Sequence, residues 1–329
     1  MNNLDIQHKQ LIEKILKDGE NKLDRTGVGT RSIFGHQMRF KMTDGFPLLT
    51  LRKIHTKSLI HEILWFLSAY DDKYKKFRNT NIRYLVDNGV TFWTDWPLAN
   101  YNKYNSPLSQ KEFEKRIMED DDFALQWGDL GPVYGKQWLN FSGVNQIDEV
   151  INLLKNDPDS RRIILNAWNP PEIPHMMLPP CHMFFQLYSF DMGEDERFYF
   201  FTKDRVTYKK AHKSISSCFP KRRLDMQLYI RSQDVYLGQP FNIAEYALLL
   251  HMLAQVTNMV AGNLIYTIGD AHLYTNSIDA AKTICTRTGY DLSKLVLNKK
   301  IKNIYDFRFD DIQIEDYKSH NNIYVKVAV

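Results

Sequence analysis

Leu178 to Phe185 reads L-P-P-C-H-M-F-F, and it sets a boundary that the rest of the chain must respect. Pro179 and Pro180 hold the backbone extended and keep a helix from crossing them. The apolar run Met183 to Leu187 that follows reads as a strand, so Cys181 stands at a strand entrance. A cysteine there is either a small core residue or a nucleophile. For the second role it needs a nearby cation to hold it as thiolate. Arg161, Arg162 and Arg231 are the cations on offer.

Charge is nearly balanced, with 43 Lys and Arg against 39 Asp and Glu, and the net +4 leans only weakly toward anionic ligands. The three cysteines are odd in number and lack metal-ligand spacing, which suits a reducing compartment and predicts no metal site. The first residues are polar and no long apolar run occurs, so the expectation is a soluble cytoplasmic protein with no membrane segment.

Ile6, Leu11, Ile12, Ile15 and Leu16 predict an opening helix that stops at Gly19. D-R-T-G-V-G-T at Asp24 to Thr30 is too polar and glycine-rich for a helix or strand, and a strand follows over Ile33 to Met42. No Gly-Lys-Ser/Thr completes a P-loop, so Arg25 either supplies charge to a phosphate itself or is a solvated turn residue. Ser58 to Ser68 is apolar on most sides and predicts a buried helix. Glu62 inside it is a general acid or base candidate, the alternative being a glutamate that faces solvent.

Tyr70 to Gln126 is rich in Asp, Asn, Lys and Tyr and predicts a mostly helical excursion along the surface. Gly128 to Trp138 predicts irregular backbone, with Tyr134 and Trp138 forming a wall, and Gln146 to Lys155 predicts an amphipathic helix. Arg161 and Arg162 open the next strand. Neighbours on a strand face opposite ways, so either one arginine is structural or the strand end is presented across a subunit contact. Asp191 to Arg223 reads as an insertion, acidic and then basic from Lys203 to Arg223, and as a solvated loop more readily than a nucleic-acid surface. Cys218 lies in it without a catalytic pattern. Met226 to Asp234 predicts a strand and Ile243 to Asn258 a long helix. His272 and Tyr274 alternate, so they share a side if that segment is extended.

D-R-T-G-x-G-T, the H-E-I-L-W-F-L helix, G-D-L-G-P-V-Y-G-K-Q-W, D-P-D-S-R-R, L-P-P-C-H, R-S-x-D-x-x-L-G-x-P-F-N-I-A and G-D-A-H-L-Y occur in one order, and that series resembles the folate-dependent thymidylate synthases almost end to end. The resemblance implies a single domain over residues 1–329, α/β of the α+β kind, with mixed sheets about a long buried helix. Insertions would fall near 70–127 and 191–224. It also implies a homodimer whose sheets pack together, each site borrowing Arg161 and Arg162 from the partner.

The substrates implied are deoxyuridine monophosphate (dUMP) and 5,10-methylenetetrahydrofolate. By resemblance, Arg25, Arg161, Arg162, Arg231 and Ser232 hold the phosphate, Gln233, Asp234 and Asn242 line the substrate, and His272 and Tyr274 hold the sugar. Cys181, Glu62, Arg231, Tyr134 and Asn242 form the catalytic set. His55, Trp93, Asp234, Gly238 and Ala328 meet the folate. Asn242 suits uracil, because a carboxamide both donates and accepts whereas an aspartate only accepts. The sequence departs from the family pattern at Thr94, Leu139, Ile230 and Ser277, and at Ala69 to Asp72. These departures leave a deoxynucleotide hydroxymethylase as the alternative. A non-catalytic nucleic-acid-binding homologue fits less well, since it has no use for the retained catalytic set.

Overall fold

A mixed sheet of six strands carries the site. In chain order its strands are β1 (Glu20–Lys22), β2 (Thr30–Lys41), β3 (Ile164–Asn166), β4 (His182–Asp191), β5 (Arg222–Asp234) and β6 (Val260–Tyr274). In space they run β1-β2-β6-β5-β4-β3, and β7 (Lys294–Leu297) pairs with β8 (Ile312–Glu315) apart from them. The computed structural model describes residues 1–23, 27–194, 196–197 and 219–326. Arg25, Ala328, Cys218 and the basic stretch from Lys203 to Lys213 lie outside the described residues.

Every pairing in the large sheet is antiparallel except β5 with β6. A parallel pair needs a crossover, and the helix Gly238–Val256 supplies it. This helix is apolar nearly all round and its residues are largely buried, as expected of a helix enclosed by sheet and neighbouring helices. It begins five residues earlier than the sequence suggests. Pro240 falls in the first turn, where a missing N–H costs nothing. Asp234 Oδ1 accepts the amides of Tyr236 (2.8 Å) and Leu237 (3.1 Å), turning the chain from β5 into the helix.

The helices are α1 (Asn3–Asp18), α2 (Thr56–Phe66), α3 (Arg83–Asp87), α4 (Asp95–Tyr104), α5 (Gln110–Glu119), α6 (Asp121–Trp127), α7 (Tyr134–Leu139), α8 (Gln146–Asn156), α9 (Gly238–Val256) and α10 (Ile278–Cys285). In α2 every residue from Ser58 to Phe66 is buried, Glu62 included. Two expectations need correction. The stretch to Trp138 is irregular only as far as Val133, after which Tyr134 opens a short helix. The segment carrying α3 to α6 does not simply lie on the surface: Tyr101 packs edge-on against Phe123 and Trp127, and Trp93 is buried among Trp65, Trp96 and Tyr134. Its polar composition belongs to outward faces, while widely spaced aromatics make the inner one.

Beyond α9, the sheet leaves Ile164, Phe184, Tyr188 and Phe190 exposed on β3 and β4. Among the described residues, no helix is long and apolar enough to cross a membrane.

On α1, His8 is wholly buried with Nδ1 2.7 Å from Gln239 Oε1, and burial, aided by the Arg52 charge, lowers it from 6.5 to about 4. A depressed histidine value means that the folded chain binds fewer protons than the unfolded one. The stability gained from neutral His8 is therefore complete above 6.5 and is lost as pH falls toward about 4. The unfolding free energy from denaturant titrations is expected to drop through that window in the wild type and to drop less in His8→Gln, by on the order of 2 kcal/mol.

Candidate active site

Both peptide groups of Cys181 are tied down where the proline pair meets β4. Its N–H donates to the Tyr134 hydroxyl at 2.8 Å, and its carbonyl accepts the Arg231 N–H at 2.9 Å. The Arg231 guanidinium donates from Nε to the Pro180 carbonyl and from Nη2 to the Pro179 carbonyl, each at 2.9 Å. It also lies over the Trp168 ring, 5.6 Å from the centroid. These bonds use two of the five N–H donors of the fork and place a fixed cation beside the cysteine. Burial pushes the thiol of the other described cysteine, Cys285, up to about 11.

Glu62 on α2 is linked to this cluster through Trp93, whose ring lies 6.0 Å from that of Tyr134. Its Oε1 accepts the Trp93 indole N–H at 2.5 Å, and its carboxyl hydrogen-bonds that of Glu245 on α9. Burial pushes Glu62 up to about 7 and Glu245 well above the usual carboxylate range, the latter raised further by Glu62 itself. Two carboxyls in contact in a dry setting cannot both ionise, so the pair keeps a proton.

Asn242 extends this network on the first turns of α9. Its Nδ2 donates to Glu245 Oε2 at 3.3 Å, and its Oδ1 accepts from Gln233 Nε2 at 3.1 Å. Gln233 Oε1 in turn accepts from the Tyr266 hydroxyl. A Cβ built on Gly238 would stand 2.8 Å from Gln233 Nε2, so the glycine leaves room for that amide. Burial also lowers the pKa of the His182 ring to about 4, leaving a neutral imidazole.

At the parallel ends of β5 and β6, Asp234 lies opposite His272 in the register, and the Val235 N–H donates to the His272 carbonyl at 2.8 Å. His272 Nδ1 is 3.5 Å from Asp270 Oδ1, and its ring meets Tyr274 edge-on at 5.2 Å. The two do share a side of an extended strand. Ser232 lies on the same strand end, opposite Asp270.

Some expected residues stand apart. Arg161 and Arg162 are exposed in the loop before β3, so they are not strand residues facing opposite ways. The β3–β4 register, with Ile164 opposite Gln186, puts them beside the far half of β4. At about 3.3 Å per residue this is roughly 20 Å along the strand from Cys181. His55 is exposed and caps α2, its Nδ1 2.6 Å from Ser58 Oγ. Among the departures, Ile230 is core, Leu139 packs against the core, and Ser277 Oγ donates to the Tyr274 carbonyl at 2.8 Å. Thr94 is buried with no partner for its Oγ1 among the described residues.

Sequence reasoning missed Glu245, His182 and Tyr266, and it did not foresee the bond from Trp93 to Glu62. For Glu245 the signal was there: N-I-A-E-Y-A-L-L-L sets a carboxylate in an apolar helix, the same pattern that singled out Glu62. Among the described residues, no group of three or more His, Cys, Asp or Glu is arranged to hold a metal ion.

A family model described as Thymidylate synthase matches residues 6–329. The thymidylate synthase of Mycoplasma mobile is 45% identical over 326 residues, covering 98% of this chain and 99% of that protein. That of Malacoplasma penetrans is 46% identical over 325 residues, with 98% and 99% covered. That of Mycoplasma genitalium is 42% identical over 325 residues, again with 98% and 99% covered. A match over nearly the whole length, by a chain that also carries a clamped cysteine and a buried acid pair, makes it a member of the thymidylate synthase family.

Proposed function

We propose that the protein methylates dUMP to thymidylate with 5,10-methylenetetrahydrofolate, through a covalent bond between Cys181 and C6 of the uracil ring. One observation carries this: Arg231 holds Pro179 and Pro180 by their carbonyls and so fixes Cys181 against a permanent cation. A thiolate held there is stabilised by that charge. As the Cys181 Sγ–C6 bond forms, the ring's double-bond electrons make C5 nucleophilic. Glu62, with its shared proton, would protonate O4 and take the proton back, while Tyr134 would hold the Cys181 amide steady. Expulsion of the thiolate at the end restores Cys181.

Asn242 would meet the pyrimidine edge with Gln233 behind it, and His272 and Tyr274 the sugar hydroxyl. Arg231, Ser232 and Arg25 would take the phosphate. Arg161 and Arg162 are too far from their own Cys181, which favours their entering the site of a second copy. The exposed apolar residues Ile164, Phe184, Tyr188 and Phe190 give that copy a sheet face to cover. On this reading residues 1–329 are one catalytic domain working in the cytoplasm as a homodimer.

A folate would supply both the one-carbon unit and a hydride. The residues present fit it. A pteridine offers a stackable ring and an amino group, which the adjoining rings of Phe92 and Trp93 and the carboxylate of Asp234 would receive. Gly238, His55 and Ala328 are the remaining residues proposed to touch it.

Incubation with dUMP and methylenetetrahydrofolate should give thymidylate and dihydrofolate in equal amounts by mass spectrometry and absorbance. A hydroxymethyl product with tetrahydrofolate left unoxidised would instead make the protein a hydroxymethylase. Asn242→Asp should lower kcat/KM for dUMP about 10- to 100-fold and improve binding of the cytosine nucleotide dCMP, since a carboxylate cannot donate to O4.

A further inference from the structure

An amide can face either way, and which way Asn242 faces decides which pyrimidine it accepts. Most of its neighbours cannot settle the matter. Gln233 is itself an amide that can turn over, the Tyr266 hydroxyl can donate or accept, and a neutral His182 ring can do either at each nitrogen. Trp93 is different, because an indole N–H only donates. Its bond therefore makes Glu62 Oε1 an acceptor. Glu62 Oε2 and Glu245 Oε1 are buried and without a partner among the described residues, and the two carboxyls interact, so one proton shared between those oxygens satisfies both. That leaves Glu245 Oε2 as an acceptor, and it is Asn242 Nδ2 that faces it, at 3.3 Å.

Taking the pocket as a pyrimidine nucleotide site, as proposed above, we infer that Glu245 is a positioning residue that sets the orientation of the Asn242 carboxamide, and so the choice of uracil over cytosine, by relaying the donor polarity of Trp93 through one proton shared with Glu62. With Nδ2 committed to Glu245 and Oδ1 to Gln233, Asn242 keeps one N–H and one lone pair for the ring. These match the O4 acceptor and N3–H donor of uracil. A turned amide presents the reverse pair, which matches the amino group and bare N3 of cytosine.

Glutamine at position 245 reproduces a protonated glutamate, since its NH2 can donate to Glu62 and its carbonyl can accept from Asn242. Methionine fills similar space but relays nothing. The test is calorimetric titration of wild type, Glu245→Gln, Glu245→Met and Trp93→Phe with dUMP and with dCMP, after a thermal melt confirms folding. Wild type and Glu245→Gln are expected to prefer dUMP by ratios within about twofold of each other. Glu245→Met is expected to lower the ratio about 10- to 100-fold, the usual penalty for a mismatched polar contact. Trp93→Phe should lower it in the same direction. An unchanged ratio in Trp93→Phe, or in a folded Glu245→Met, overturns the assignment, and so does loss of the preference in Glu245→Gln. A wild type that binds neither nucleotide overturns the nucleotide reading of the pocket itself, and the assignment with it.

Discussion

Cys181→Ala is expected to lower turnover by about 10⁴-fold or more while leaving dUMP binding within a few-fold of wild type. The side chain is half-buried, and the chain around it is held by peptide-group bonds to Tyr134 and Arg231 that alanine keeps. Stability should therefore change by no more than about 1 kcal/mol. Cys285→Ser is the control. That thiol sits in α10 with its pKa pushed up by burial, away from any of the site's contacts described above, so activity should be unaffected. Steady-state rates for the two variants, with thermal melts to match, check both statements.

Glu62→Leu should cost about 10²- to 10⁴-fold in kcat, the usual contribution of a placed acid or base. It strips Trp93 Nε1 of its acceptor and Glu245 of its partner, so the loss extends past one proton transfer. The carboxyl's raised pKa also has a sign in stability. A folded value of about 7 against an ordinary 4.5 means that the folded chain binds the extra proton between them. The stability linked to it is complete below 4.5 and is lost as pH rises through about 7. Denaturant midpoints at about pH 5 and pH 8 should therefore differ more in wild type than in Glu62→Gln. The histidine effect in α1 acts in the opposite direction at lower pH and is common to both proteins, so it cancels in that comparison.

Much of this was readable from residue pattern alone. α8 runs from Gln146 to Asn156, where amphipathic spacing put a helix from Gln146 to Lys155. β5 ends at Asp234, where the strand motif was expected to end, and the proline pair delivered Cys181 to the start of β4. Signals of this kind are local, and the tertiary structure did not override them. What escaped was contact between distant segments. Trp93 and Glu62 are 31 residues apart and Gln233 and Tyr266 are 33 apart, and periodicity carries no information about such pairs. The early start of α9 was hidden by Gly238 and Pro240, which read as loop residues although the first turn of a helix tolerates both.

The most direct measurement follows C5–H of dUMP by proton NMR in D2O, with the protein and tetrahydrofolate, which has no carbon to transfer. Reversible addition of Cys181 to C6 makes C5 basic, so the C5–H signal should fade with wild type and persist with Cys181→Ala. A signal that persists with a wild-type sample competent in thymidylate formation would contradict covalent activation by Cys181.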